Sequence, residues 1–191
     1  MSAAAGLHFE QHASRPRCGC KGPGAAGWLS SQGYRVPAQA NSAELDPAGV
    51  LVARLASSEF LLEPIAGNAD RVEATRAELT QRRQPVTVYP VTRQDLVVTI
   101  NGDELNALLR QICSVDFAPL LAAAATGGGP VVLTSMVGVG VVAWPRLIEG
   151  AVGETLPAVT LWCEPSYAHY FWHTLLEVGR DLGSVTTGSK Q

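Results

Sequence analysis

The order of strands and helices written in this chain predicts the α+β class. The expected architecture is two βαββαβ half-repeats, with antiparallel sheets and helices on one face. The first observation behind it is a strand–glycine turn–helix pattern that occurs twice. It runs through Arg17-Cys18-Gly19-Cys20-Lys21-Gly22-Pro23-Gly24-Ala25-Ala26-Gly27-Trp28-Leu29, and again through Leu96-Val97-Val98-Thr99-Ile100-Asn101-Gly102-Asp103-Glu104-Leu105-Asn106-Ala107-Leu108-Leu109. The second is that an apolar strand, a turn and an amphipathic segment follow each copy, at Val50 to Leu62 and at Val159 to Leu176. The third is size: 191 residues at 47% hydrophobic suffice for one compact domain or two small lobes.

Taken in order, residues 1–14 read as a loose, flexible N-terminal arm rich in Ala, Ser and His. Arg15 to Lys21 is the first strand, Lys21 to Gly24 turns the chain, and a helix spans about Ala25 to Gln32. Gly33 suits its C-cap, because glycine takes the left-handed conformation at little cost. Tyr34 to Pro47 reads as irregular. Val50 to Leu55 and Glu59 to Pro64 form a hairpin about Ser57-Ser58. Asn68 to about Gln84 is a helix, with Val72, Thr75, Arg76 and Leu79 at helical spacing and Asp70 near the positive end of its dipole. Val86 to Val91 is the last strand of the first half.

In the second half, Leu96 to Ile100 is a strand. Asp103 is expected to cap a helix reaching about Cys113, with Leu105, Leu108, Leu109 and Ile112 as its buried stripe. A loop follows, then a short helix at best over Ala122 to Thr126, then a flexible break at Gly127-Gly128-Gly129-Pro130. Val131 to Thr134 and Val137 to Ala143 are strands, and Leu147 to Leu156 reads as a loop over one edge. Val159 to Cys163 is a strand, and Tyr167 to about Leu182 the last helix. The tail, residues 184–191, reads as disordered. The order gives a single domain over residues 15–183, in ferredoxin-like halves at about 15–91 and 92–183.

Composition narrows the function. Charged residues are 16%, against about a quarter in an ordinary soluble domain. Such a surface suits cover by a large protein partner. The net charge is −3 and the basic residues are scattered, so no nucleic-acid face is expected. No apolar run reaches the length of a membrane span, and Met1 to Glu10 has no secretory pattern, so a cytoplasmic location is expected.

Four cysteines are too few for a disulfide scaffold. Cys18 and Cys20 fall on one face of a strand, which fits a redox or metal pair or two core positions under a helix. The Cys-x-Cys spacing favours the core, since zinc pairs use wider spacing and further ligands. His8/His12 and His169/His173 are each four apart, and neither pair has an evident third ligand. Lys21-Gly22-Pro23-Gly24-Ala25 resembles a phosphate-cradling turn, but its lysine precedes the glycines, against the Walker order. Close strand–helix packing explains it better. Gly127-Gly128-Gly129 precedes a strand, so it is no dinucleotide fingerprint. Gly138 and Gly140 alternate along a predicted strand and would leave one side smooth. Tyr167, Tyr170, Phe171 and Trp172 cluster at the start of the last helix. These four and the two glycines are the candidate partner interface. No nucleophile elbow is present, and catalytic, cofactor and metal residues on this chain are expected to be none.

Five segments together carry a family resemblance. Lys21-Gly22-Pro23-Gly24-Ala25-Ala26-Gly27-Trp28-Leu29, Arg54-Leu55 with Glu59-Phe60-Leu61-Leu62, Cys113-Ser114-Val115-Asp116-Phe117, Thr134-Ser135-Met136-Val137-Gly138-Val139 and Leu161-Trp162-Cys163-Glu164-Pro165-Ser166-Tyr167 resemble, in order, the gamma subunit of heterotetrameric sarcosine oxidase. The half-repeats also look like the folate-binding aminomethyltransferase fold. The resemblance implies a non-catalytic subunit of a complex that oxidises sarcosine to glycine, passes the one-carbon unit to tetrahydrofolate and forms hydrogen peroxide. Its cofactors would sit on partners: FAD and FMN with the beta subunit, NAD and tetrahydrofolate with the alpha subunit, zinc with the small delta subunit. Related complexes oxidise other secondary or N-methyl amines. The rival reading is a stand-alone folate-dependent aminomethyltransferase-like protein. That would need a carboxylate near the folate ring, with Asp95, Asp103 and Asp116 as candidates.

Overall fold

The computed structural model describes residues 6–13, 15–65, 67–150, 153–183 and 185–189. Along the chain run β1 Leu7–Gln11, β2 Cys18–Lys21, α1 Ala25–Ser31, β3 Ser42–Leu45, β4 Val50–Ala56, β5 Glu59–Pro64, α2 Ala69–Thr80 and β6 Tyr89–Val91. Then follow β7 Leu96–Gly102, α3 Leu105–Ile112, α4 Ala118–Ala122, β8 Gly128–Pro130, β9 Val132–Met136, β10 Val139–Glu149, β11 Thr155–Cys163, a 3-10 turn at Pro165–Tyr167, α5 Ala168–Leu182 and β12 Val185–Ser189. The fold is α+β, with two sheets of mostly antiparallel strands and five α-helices among the described residues. Two compact units result. One takes Arg15–Gln94 with Gly127–Val131; the other takes Asp95–Thr126, Val132–Gln191 and the segment up to Ser14.

In the first unit the sheet order is β6-β2-β5-β4-β3-β8. The β4–β5 hairpin forms where the sequence places it, with Val52 opposite Leu62 and Arg54 opposite Phe60. The Arg54 guanidinium lies over the Phe60 ring at 5.5 Å. Helix α1 ends in a Schellman cap: Gly33, at φ +78, donates to Ser30 O, and Tyr34 donates to Leu29 O. Helix α2 buries Val72, Thr75 and Leu79. Val72 and Leu79 join Trp28, Leu29, Val50, Val52, Phe60 and Leu62 in one core. Fully burying each large apolar side chain stabilises by about 1.5–3 kcal/mol.

Two expectations fail here. Tyr34 to Pro47 is not wholly irregular, because Ser42–Leu45 is a strand. Its sequence, Ser-Ala-Glu-Leu, lacks the β-branched residues that announce one. The triple glycine is not a break: Gly128–Pro130 pairs with β3, Glu44 opposite Gly128. A Cβ at Gly128 would meet Ala43 O at 2.4 Å, at φ +149, so only glycine permits this approach.

In the second unit the order is β12-β1-β7-β11-β10-β9. The helix α3 stripe is buried as its spacing predicts, at Leu105, Leu108, Leu109 and Ile112. It packs with α5 over a core that includes Phe9, Val98, Ile100, Phe117, Met136, Val159 and Leu161. On the other side of the sheet runs a buried polar chain. His12 Nε2 meets Thr99 Oγ1 at 2.9 Å, Thr99 meets its cross-strand neighbour Thr160 at 3.0 Å, and Arg146 Nε donates to Thr160 at 3.0 Å.

The loose arm is corrected over residues 7–11. That segment is a strand between β12 and β7, with Leu7 and Phe9 buried. The disordered tail is corrected over residues 185–189, which form β12, parallel to β1, with Val185 opposite Leu7. The arm residues 1–5 and 14, and residues 184, 190 and 191 of the tail, lie outside the described residues. The loop at Leu147 to Leu156 is largely strand instead: β10 and β11 stay paired to Glu149 opposite Thr155. Pro145 and Pro157 conceal this in the sequence, since proline discourages a central-strand reading. Asp103 does not cap α3; Glu104 holds the cap position, without a side-chain bond. The short helix falls at Ala118–Ala122, earlier than expected.

Candidate partner interface

The aromatic segment divides by helical geometry. Pro165 opens the 3-10 turn, and α5 follows with Phe171, Leu175, Leu176 and Gly179 buried, one stripe at helical spacing. Phe171 is fully buried in the core, so its place in the candidate interface is corrected: it is occupied inside this chain. Trp172 is partly buried and meets Phe9 edge to face, with centroids 6.2 Å apart. Tyr167 and Tyr170 are each 52% exposed.

The Tyr170 hydroxyl donates to Val137 O at 3.0 Å. This ties α5 to the turn between β9 and β10. Val137 and Gly138 form that two-residue turn, at φ +45 and +82, while Met136 and Val139 pair across it. Both central residues have positive φ, as a tight hairpin with right-handed twist requires. Gly138 is therefore a turn residue and not a strand residue. The smooth strand face is corrected to Gly140 alone, which is exposed at the start of β10. A Cβ at either glycine would meet nothing within 4 Å.

Sequence reasoning missed Leu133. It is 52% exposed on β9, the terminal strand of this sheet. Its alternation with Val132 and Thr134 could have marked an outward apolar position. The exposed positions are thus Tyr167, Tyr170 and the Val137-Gly138 turn on the α5 side, and Gly140 and Leu133, which alternate with the core residues Val132, Val139 and Val141 and so point from the opposite face of the sheet, all within the second unit.

The cysteine pair is interior. Cys18 and Cys20 are buried on the helix-covered face of β2, in the first unit's core. Burial pushes both thiols up to about 12; for Cys18 the neighbouring Cys20 adds to it. Cys163 is raised to about 11 by burial, then by Asp95 and Glu164. Among the described residues no group of three or more His, Cys, Asp or Glu could hold a metal ion.

The turn before α1 holds a coincidence that comparison with the Walker pattern passes over. Gly22, Gly24 and Gly27 stand at Gly-x-Gly-x-x-Gly spacing, after a strand and into a helix. Here this chain itself fills the cradle. A Cβ at Gly22 would strike Thr87 O at 2.4 Å, one at Gly24 would strike Thr87 Oγ1 at 2.2 Å, and Gly24 N donates to Thr87 O. The glycines admit residues 87–89, in the position a pyrophosphate takes in a dinucleotide fold.

A cavity of ≈ 390 Å³ in the second unit is lined by His8, Asp103, Glu154 and Thr186 among others. His8 Nδ1 lies 2.8 Å from Thr186 Oγ1. Of the three carboxylates considered above, only Asp103 lines this cavity. Asp116 accepts from Ala118 N at 3.1 Å, and Asp95 is partly buried.

Neither a protein-family model nor a curated protein matches the chain. Solved structures do. One is a chain of the heterotetrameric sarcosine oxidase from Corynebacterium sp. U-96, at 20% identity and a TM-score of 0.69, covering 97% of this chain and 89% of that one. Another is the glycine cleavage system aminomethyltransferase T from Bartonella henselae, at 16% identity and a TM-score of 0.61; the match covers 96% of this chain and 48% of that one. No helix among the described residues is long and apolar enough to cross a membrane. The chain has the fold of that sarcosine oxidase chain over nearly its full length, and it matches about half of the aminomethyltransferase.

Proposed function

We propose that this chain is a gamma-type, non-catalytic subunit of a heterotetrameric sarcosine oxidase or of a related oxidase of secondary or N-methyl amines. The observation that carries the reading is end-to-end coverage: 97% of this chain against 89% of a chain from such a complex. Two chains that match over almost their whole lengths suit the same place in an assembly. In this reading the alpha, beta and delta subunits hold FAD, FMN, NAD, tetrahydrofolate and zinc, and the gamma-type chain buttresses them in a cytoplasmic complex. The ferredoxin-like half-repeat belongs to the same proposal. Its support is the first unit's order β6-β2-β5-β4, the arrangement a βαββαβ unit adopts when its first and third strands are central. Tyr167, Tyr170 and Leu133 are the proposed anchors.

The test is co-expression with candidate alpha, beta and delta subunits, followed by size-exclusion chromatography with light scattering. A stable complex whose oxidase activity on sarcosine or another N-methyl amine collapses without this chain supports the proposal. A clean monomer that ignores those subunits overturns it.

One observation favours a second reading, the folate-dependent aminomethyltransferase-like protein. Asp103 lines the ≈ 390 Å³ cavity, a volume in the range of small-molecule sites. Calorimetric titration of the chain with tetrahydrofolate, repeated on Asp103→Asn, decides it. Binding lost in the variant would support the rival; no binding to the wild type removes it.

A further inference from the structure

His169 and His173 stand one turn apart on α5, both exposed, with ring centroids 4.3 Å apart and planes tilted by 44°. We propose that this pair is a surface site for a late first-row divalent transition metal ion, chelated by the two imidazoles with water completing its shell.

Residues four apart on a helix lie on one face about 5–6 Å apart at Cβ. A 15-residue helix anchored by Phe171, Leu175 and Leu176 holds that spacing rigidly. Two imidazole nitrogens bound to one ion at about 2.0–2.1 Å each must approach within about 3–3.5 Å of each other. Rings at 4.3 Å allow that with small rotations. Because the helix sets the spacing, little ordering entropy opposes the second bond.

Alternative explanations of the contact are weaker. Neither ring is buried, so the pair is not a core packing feature. Two exposed rings side by side gain little without a shared ligand, and both charged together they would repel.

The donor set indicates the class of ion. Neutral imidazole suits copper, nickel and zinc, whereas magnesium and calcium require oxygen ligands. With two nitrogen donors and no third protein ligand, affinity follows the general order, with Cu²⁺ above Ni²⁺ and Zn²⁺. The four cysteines are all buried, so thiol competition in the folded chain is small. The two remaining histidines are His8, next to Thr186, and buried His12, next to Thr99; neither is near the other in a chelating pair.

The test titrates the full chain with Cu²⁺, Ni²⁺, Zn²⁺ and Mg²⁺ separately, by calorimetry and, for copper, by electron paramagnetic resonance. One equivalent of copper with hyperfine structure from two nitrogens is expected, weaker binding of nickel and zinc, and none of magnesium. His169→Ala and His173→Ala should each weaken binding about tenfold or more, while His8→Ala leaves it unchanged. All three positions are outside the helix-covered core, so circular dichroism should report intact folds. If wild type takes up no more copper than the His169→Ala/His173→Ala double variant, the site does not exist.

Discussion

The Tyr170 hydroxyl and the Val137 carbonyl, 33 residues apart, close a hydrogen bond of 3.0 Å from the first turn of α5 to the β9–β10 turn. A second bond fixes the same residue from the other side, Val137 N donating to Ile112 O at 2.9 Å. Val137 is β-branched at φ +45, a conformation such residues avoid, and two bonds plus partial core packing hold it there. Tyr170→Phe removes one of the two. Loss of one such bond costs about 0.5–1.5 kcal/mol. Urea unfolding of the variant should show a lower midpoint at unchanged slope. An unchanged midpoint would mean that water replaces the bond at no cost.

Gly138 and Gly140 offer an internal control on that turn. Neither has a neighbour within 4 Å of a new Cβ, yet Gly138 sits at φ +82 and Gly140 lies in β10. Gly138→Ala is expected to destabilise by about 1–2 kcal/mol through the left-handed backbone alone. Gly140→Ala should be neutral, or stabilising by about 0.4–1 kcal/mol through the unfolded chain. Matched melting curves decide between them; equal effects would show that φ is not the controlling variable.

This contrast also shows what the sequence could disclose. Val50–Ala56 and Glu59–Pro64 were legible because two apolar runs flank a serine turn, and α3 because four leucine or isoleucine positions repeat at helical spacing. Leu7–Gln11 and Val185–Ser189 were not, because each is short and half polar. Leu7–Gln11 becomes a strand by pairing with β7 and with Val185–Ser189, and the latter by pairing with it across about 180 residues, Leu7 opposite Val185. No local signal encodes such a partner. The candidate site was half legible. An aromatic run announces a surface or a core without separating them. The stripe Phe171, Leu175, Leu176 and Gly179 assigns Phe171 inward and leaves Tyr167 and Tyr170 outside. Gly22 and Gly24 carried a ligand-like spacing whose occupant, Thr87, lies more than 60 residues away.

The buried thiols give a pH prediction with a defined sign. Cys18 and Cys20 ionise near 9.0 when unfolded and near 12 when folded, because burial disfavours the thiolate. Their contribution to stability is therefore fully present below pH 9 and is lost as pH rises from 9 toward 12. Melting temperature should fall more steeply between pH 8.5 and about 10.5 for the wild type than for Cys18→Ala/Cys20→Ala. Parallel curves would remove the thiols from the account. Alkylation by iodoacetamide in the native state should be correspondingly slow.

Glu63 tests the first unit. Its carboxylate is fully buried, 3.7 Å from Arg15 Nη1 and 3.5 Å from Arg17 Nε. Charges removed from water must be matched by charges, and deleting one side leaves the other uncompensated. Glu63→Gln should cost about 3–5 kcal/mol. Glu59→Gln, which removes a more exposed partner of Arg93, should cost about 1 kcal/mol or less. Similar losses at the two positions would show that burial of the ion group is not what matters.

Tyr167 is the sharpest probe of assembly. It is half exposed at the head of α5 with no packing role in the core, so Tyr167→Ala should leave the isolated chain's melting temperature within about a degree or two of wild type. In the proposed complex the same ring would be an anchor. Aromatic residues at the centre of an interface cost about 2 kcal/mol or more when truncated, near a thirtyfold loss of affinity. The expected pattern is therefore a split: stability unchanged, co-purification with the flavoprotein subunits sharply reduced. Leu133→Asp, on the terminal strand and on the sheet face opposite α5, should give the same split where the partner wraps around that sheet edge. The separately purified chain should show no flavin absorbance near 450 nm (about the usual position of that band), whereas the assembled fraction should show it. Flavin retained stoichiometrically by this chain alone would assign it a cofactor site and overturn its role as a buttress.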